Sequence, residues 1–262
     1  MQRYAREIVY RPRCRNAWRS WWLAEFAFVV CIITALLVRY GLVEPGNAAN
    51  VLIGTLLLAG IAAIFAITAF VTIWRDDHRG VTVAVAGFLC ASLILLAPLV
   101  LQGFLFLHPG SNGMSTDTVS LPPFSRSQAA FSARNQMIPA SPTDMTLARQ
   151  AEANPDIMPL IVDMDAVDAS NYIEELVRKR GWKVVDAIRP EGRMGDGHVD
   201  AVAHDGLLRL PVDITFRIRP VAEGGARIDM RCSSRYPHMD LSDNAGLVRA
   251  FLDELSKGPP LG

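Results

Sequence analysis

Two hydrophobic rhythms divide the chain. Long unbroken apolar runs fill its first part, and period-two alternation fills its last. The run Val81–Leu107 has no charged residue, over more than the roughly 20 positions a helix needs to cross a bilayer. Two similar runs precede it, at 21–38 and 51–74. Three transmembrane helices are therefore expected over 21–107. They follow a basic segment, 1–20, that carries Arg3, Arg6, Arg11, Arg13, Arg15 and Arg19. Trp18, Trp21 and Trp22 suit the headgroup layer, where an amphipathic ring meets both lipid and water.

Charge around the runs sets an expected orientation. The loop 44–50 has no Lys or Arg, whereas the loop 75–80 has Arg75 and Arg79. Basic segments next to spans are retained on the cytoplasmic side, so three spans place residues 108–262 outside, in the periplasm of a bacterial cell. The first run is long for a cleaved leader, and Asn47-Ala48-Ala49 is its small-residue candidate site. Glu25 lies about one turn inside the Trp pair, where an interfacial carboxylate near the arginines is the plainer reading than an intramembrane functional acid. Transporters and pumps keep ionisable groups at mid-depth, and these spans have none there, which makes a transporter or channel the weakest class. Ala62, Ala66, Gly87 and Ala91 allow close helix contact, either among the three spans or in a homo-oligomer.

Beyond the spans, 108–113 reads as a turn, and 115–160 is rich in Ser, Pro, Thr and Ala with little apolar period. Such a stretch is a linker or a strap lying on the domain. Phe124, Phe131, Ile157 and Leu160 are its candidate anchors, with order expected from about Asn154. The proposed divisions are thus 108–153 as linker or strap and 154–258 as the soluble domain.

In that domain Asp165 or Asp168 can cap a helix ending at Gly181, with Ala169, Ile173, Leu176 and Val177 on one face. Strands are expected at 182–188, 198–204, 211–219 and 226–234. The alternation sets Val199, Ala201 and Ala203 opposite His198, Asp200 and His204. It likewise sets Val212, Ile214, Phe216 and Ile218 opposite Asp213, Thr215, Arg217 and Arg219. In the last strand Ile228, Met230 and Cys232 oppose Arg227, Asp229 and Arg231. Glu223-Gly224-Gly225 joins the last two strands as a hairpin. A final helix starts near Ser242 or Asp243 and runs to about Leu255, with Leu247, Val248, Phe251, Leu252 and Leu255 as its stripe. The expected fold is a multi-pass α-helical membrane region plus a two-layer α+β sandwich. In it a four-stranded antiparallel sheet has one face buried by two helices and one face wet.

Composition adds limits. Residues 1–107 carry 9 Lys+Arg against 5 Asp+Glu, and residues 108–262 carry 17 against 21. A nucleic-acid binder needs a basic field on its soluble part, and this part has the opposite sign. The four cysteines, at 14, 31, 90 and 232, have neither metal-ligand nor disulfide spacing within the soluble part.

Several short motifs together resemble a known family. They are Ser115-Thr116-Asp117-Thr118-Val119 with Pro122-Pro123-Phe124, Asn154-Pro155-Asp156-Ile157-Met158-Pro159-Leu160, and Gly181-Trp182. The last is Asp229-Met230-Arg231-Cys232-Ser233-Ser234-Arg235 with Asp240-Leu241 and Asn244. The set resembles the bacterial and plastid family called domain of unknown function 1499 and covers most of 115–256. The resemblance implies membership and a membrane-anchored setting, not a chemistry. Two positions differ from the family pattern. Paired acids are usual where Pro211-Val212-Asp213 stands, and Gly is usual where Ser242 follows Asp240-Leu241.

Candidate chemistry centres on the polar sheet face. Asp213, Arg217, Asp229, Arg231 and Arg235, with Asp240 and Asn244 at the start of the last helix, are the candidate ligand- or partner-binding residues. The competing readings are a solvated ladder of ion pairs and, for Asp240 and Asn244, helix capping. Several guanidinium forks on one face suit carboxylate or phosphate. His198 and His204, four apart on a strand, lie some 13 Å apart and do not converge on one metal. Gly192, Gly195 and Gly197 are not a dinucleotide fingerprint, and Cys232 points into the core. No catalytic residue, metal site or cofactor is assigned. The preferred function is a periplasmic binding or scaffolding module for an envelope protein or an anionic ligand, integral to the lipid bilayer. The alternative is a membrane-bound enzyme using Asp213, Asp229 or a His in a cavity between sheet and strap.

Overall fold

The computed structural model describes residues 12–107, 113–139, 141–190, 195–205, 208–221, 224–236 and 243–259. It divides into two units, Met1–Gly103 and Phe104–Gly262.

The first unit contains helices α1 (Arg15–Arg39) and α2 (Pro45–Asp76) and all but the last turn of α3 (Val81–Leu107). Among the described residues these three are long and apolar enough to cross a membrane. Pro45 starts α2, where a missing N–H costs nothing, and Asp77 ends it in the left-handed conformation. Small residues join the bundle. Ala17, Ala69 and Ala84 form one layer, Ala24, Ala62 and Ala91 a second, and Ala27, Ala59 and Ile94 a third. Gly87 lets α3 approach α1 so closely that a Cβ there would lie 2.5 Å from Ser20 Oγ and 2.9 Å from the Trp21 nitrogen. Ala62, Ala66 and Ala91 are fully buried inside the chain's own bundle. The large side chains, among them Phe26, Leu57, Ile64 and Leu93, point outward, as lipid-facing positions require.

The second unit is built on one antiparallel sheet. Its strands are β1 (Gly113–Ser115), β2 (Leu160–Val162), β3 (Lys183–Ile188), β4 (Gly197–Asp205), β5 (Leu210–Pro220) and β6 (Ala226–Ser234). The order is β1-β6-β5-β4-β3, and β2 also pairs with β6. Six described strands replace the four expected. The added ones are three residues long, too short to show an alternating pattern in sequence.

Helices α6 (Ala166–Lys179) and α7 (Asn244–Ser256) cover one sheet face. Asp165 caps α6 by accepting from the Val167 N–H, and Asp243 caps α7 by accepting from the Gly246 N–H. The core holds Ile173, Leu176 and Val177 of α6, Val248, Phe251 and Leu255 of α7, and the apolar side of β4, β5 and β6, including Cys232. Phe251 meets Phe216 at 4.7 Å between ring centroids and stacks on Trp182 at 5.4 Å.

The other sheet face is not wet. The segment 116–139, with its short helix α4 (Gln128–Ala133), crosses it as a strap. Thr116 fixes one end: its N–H donates to the Met230 carbonyl at 2.9 Å, and its hydroxyl accepts from the Met230 N–H at 2.9 Å. Helix α5 (Asp144–Ala153) supplies Gln150, whose amide donates to the Ser115 carbonyl at 2.6 Å and accepts from the Ser115 N–H at 3.1 Å. Order thus begins well before Asn154. Polar backbone contacts hold the segment, and these leave no apolar period to read. Of the expected hairpin turn, Glu223 lies outside the described residues; Gly224, at φ 98°, takes the left-handed conformation, as expected of glycine there.

Candidate functional site

The pairing register lines up the polar side chains. Asp186 pairs with Asp200, Asp200 with Thr215, and Thr215 with Arg231, one row across four strands. Asp186 joins this row only because β3 shifts register between Val184 and Asp186. A bulge of this kind turns a side chain to the opposite face. On either side of the row, Arg217 pairs with Asp229 and Asp213 with Ser233.

Beneath the strap these residues form two ionic groups. In the first, Asp229 is fully buried. It accepts from Arg217 Nε at 2.9 Å, Arg219 Nη2 at 2.7 Å and Arg227 Nε at 3.0 Å. Asp117 of the strap shares the same cations, at 3.1 Å from Arg217 Nη2 and 3.0 Å from Arg227 Nη2. Burial pushes the Asp117 carboxyl up. The Ser120 and Val119 N–H groups and the Arg217 and Arg227 charges outweigh it and hold the group below the usual carboxylate range.

In the second group Arg235 clasps Asp213 with two bonds, at 2.9 and 2.7 Å. Arg134, from the end of α4, donates to Asp200 Oδ2 and to the Ser125 carbonyl at 2.7 Å, and its Nε lies 3.4 Å from Asp213 Oδ1. The Ser125 N–H donates to Asp200 at 2.8 Å, while its hydroxyl donates to Asp186. Burial raises the Asp186 pKa. The hydroxyls of Ser125 and Ser127 and the nearby His198, at 3.4 Å, outweigh that and lower it. Asp200 Oδ1 and Arg134 Nε, both buried, find no hydrogen-bond partner among the described residues.

The solvated ladder is therefore corrected. Asp213, Asp229, Arg231 and Arg235 are buried and Arg217 nearly so, because the strap covers them and supplies Asp117, Ser125 and Arg134 as partners. Desolvating such buried charges costs about as much as their attraction returns, so the groups add little net stability, whereas removing one partner is costly. Asn244 lies on the helix-covered side, donating to Ser234 Oγ at 3.0 Å and 3.7 Å from Cys232 Sγ. Asp240 lies outside the described residues. Arg134, Ser125, Asp186 and Asp117 are the members that strand periodicity misses. All but Asp186 lie in a segment without period, and Asp186 is turned by the bulge.

Arg231 has a different position. Its guanidinium lies 4.7 Å from the Phe124 ring centroid, and that of Arg134 lies 5.1 Å from the same ring. Arg231 Nη1 also donates to the Pro122 carbonyl at 3.3 Å. Burial pulls its pKa down from the ordinary value, yet a guanidinium stays charged. Arg134 and Phe124 of the strap and Arg231 of the sheet line a cavity of about 600 Å³ whose other described lining comes from the strap and its continuation to Ser141, with Arg126 and Gln128 exposed and Phe131, Met137 and Ile138 as apolar wall. The ionisable side chains of the described lining are three arginines; no acid or histidine is among them.

The two histidines of β4 lie apart. His198 faces Asp186, and His204 borders a separate depression with Arg180, Trp182 and Asp243. Among the described residues no group of three His, Cys, Asp or Glu side chains is placed to hold a metal ion.

Comparison with curated proteins and with solved structures returned no match. A family model described as "Protein of unknown function (DUF1499)" matches residues 114–255, more than half of the chain. That span opens at β1, runs through the strap and the whole sheet, and closes in α7, so the strap belongs to the family's own domain. The chain is a member of the DUF1499 family.

Proposed function

We propose that this chain is a membrane-anchored binding module that takes an anionic ligand in the cavity lined by its strap and Arg231. The carrying observation is the lining: Arg126, Arg134 and Arg231 beside apolar side chains, with no acid among the described lining residues. General acid–base catalysis needs a group that gives and takes a proton near neutral pH. Arginine does not, and the nearest carboxylates, Asp200 and Asp213, are held by Arg134 and Arg235. This favours binding over the enzyme reading. Within the proposal Arg231 keeps its role as a ligand contact. Asp213, Arg217, Asp229 and Arg235 become the frame that holds the strap on the sheet. The three apolar helices and the basic segments next to them favour an inner-membrane anchor with the cavity on the periplasmic side.

The test uses the full-length chain extracted in polymer-bounded particles that keep its surrounding lipid. Small molecules released on denaturation are identified by mass spectrometry, for the wild type and for Arg126→Glu. Loss of a specific anion in the variant supports the reading; identical contents remove the cavity as a site. A C-terminal reporter active in the periplasm supports the orientation, and one active only in the cytosol overturns it.

A further inference from the structure

We infer that the ligand is a single-chain anionic amphiphile, an alkyl carboxylate held by its headgroup at the arginines with its chain along the Phe131–Met137–Ile138 wall. This rests on the cavity being a ligand site. Volume is the first constraint. About 600 Å³ lies within the range of small-molecule sites, which suits one chain of moderate length rather than a two-chain lipid.

The wall is the second constraint. Ile138 is 76% exposed and borders the cavity with Met137 and Phe131. A small inorganic anion would leave that apolar surface wet, whereas an alkyl chain covers it. Charge is the third constraint. Arg126 is exposed at the cavity and makes no ion pair among the described residues. Arg231 adds a second guanidinium to the lining, against Phe124, while the charge of Arg134 is already met by Asp200 and Asp213. A neutral lipid would leave the Arg126 charge unmet, while a carboxylate fits the planar fork of a guanidinium. The chain carries its own membrane spans, so a lipid-derived anion is a local molecule.

The experiment follows the carboxyl carbon resonance of isotopically labelled dodecanoate added to the full-length chain in lipid nanodiscs. A second resonance, distinct from that of bilayer-dissolved dodecanoate, is expected, remaining ionised at a pH where the bilayer pool is protonated. Arg126→Ala should weaken binding about tenfold, as expected for loss of one charge-assisted bond, and Arg126→Lys should retain most of it. Arg126 is exposed and makes no hydrogen bond or ion pair among the described residues, so a native far-UV spectrum and thermal transition are expected of these variants and are checked first. Dodecanol and acetate, labelled in the same way, should give no bound signal. Equal binding of dodecanol, equal binding of acetate, or dodecanoate binding untouched by Arg126→Glu overturns the inference. If dodecanoate fails while Arg126→Glu strips another anion from the extracted protein, the ligand class is wrong and the binding module stands. If the variant strips nothing, both fall.

Discussion

Arg134 reaches from the strap to Asp200 on β4, and the two side chains are 2% and 0% exposed. One residue comes from a segment without apolar period, the other from the centre of a strand. Their ion pair joins the strap to the sheet, and Ser125 completes it by donating its N–H to the same carboxylate oxygen. Removing the cation leaves a buried carboxylate uncompensated, a loss of about 3–5 kcal/mol. Arg134→Met should therefore destabilise the soluble unit strongly and make the strap sensitive to limited proteolysis. Arg134→Met combined with Asp200→Asn should recover much of that loss, because both charges are then gone. If the double variant is no better than the single one, the pair is not what holds the strap.

A second prediction concerns Arg217. It donates at once to Asp229 on β6, to Asp117 and to the Ser120 carbonyl on the strap. Lysine keeps the charge but presents a point donor rather than a fork. Arg217→Lys should cost about 2 kcal/mol, in the range of hydrogen bonds to charged groups. Because Asp229 is fully buried, the cost should be nearly the same at low and high salt, unlike that of an exposed pair. Denaturant titration of the full-length chain at two ionic strengths measures it, and a loss that vanishes in salt would contradict the buried geometry.

How legible this architecture was depends on where periodicity existed. The alternation of Val212, Ile214, Phe216 and Ile218 with Asp213, Thr215, Arg217 and Arg219 placed β5 and its two faces, and the core side holds as read. The membrane helices were legible for the same reason, since lipid requires a long apolar run. What alternation cannot state is what covers the second face. Charged positions normally read as solvent-facing, and here they read so because their partners Asp117, Ser125 and Arg134 lie up to 110 residues away from them in sequence and follow no pattern. The dense Pro and Ser content of the strap fits a linker equally well, and only the anchors Phe124 and Phe131 and the short motifs at 115–119 and 122–124 pointed to a segment lying on the domain. Asp186 was hidden for a local reason, the register shift after Val184.

Acid should loosen the strap in a defined window. The carboxyls of Asp117 and Asp186 both titrate below their ordinary value in the folded chain. A depressed folded pKa means that the unfolded state binds more protons at intermediate pH. The contribution is thus fully present above the unfolded value of about 3.9 and is lost as pH falls through the folded values. Stability should be flat through neutral pH in this respect and should decline below about pH 4. Asp117→Asn and Asp186→Asn should each flatten that acid limb while lowering stability at neutral pH. Proteolysis of the strap against pH follows it; a decline on the alkaline side instead would show that these carboxylates are not the groups concerned.

The membrane unit offers a test of packing alone. At Gly87 an added Cβ would meet Ser20 Oγ at 2.5 Å and the Trp21 backbone nitrogen at 2.9 Å. The hydroxyl can rotate away, but the backbone nitrogen cannot, so α1 and α3 must separate. At Gly54 and Gly60 of α2 nothing lies within 4 Å of an added Cβ. Alanine at those two positions gains helix propensity of up to about 1 kcal/mol without steric cost. Gly87→Ala should therefore lower the thermal stability of the reconstituted full-length chain, while Gly54→Ala and Gly60→Ala leave it unchanged or raise it. The contrast matters more than any single value, because all three substitutions add the same methyl group to an apolar helix. Equal responses at the three sites would mean that the small-residue layers do not set the distance between these helices.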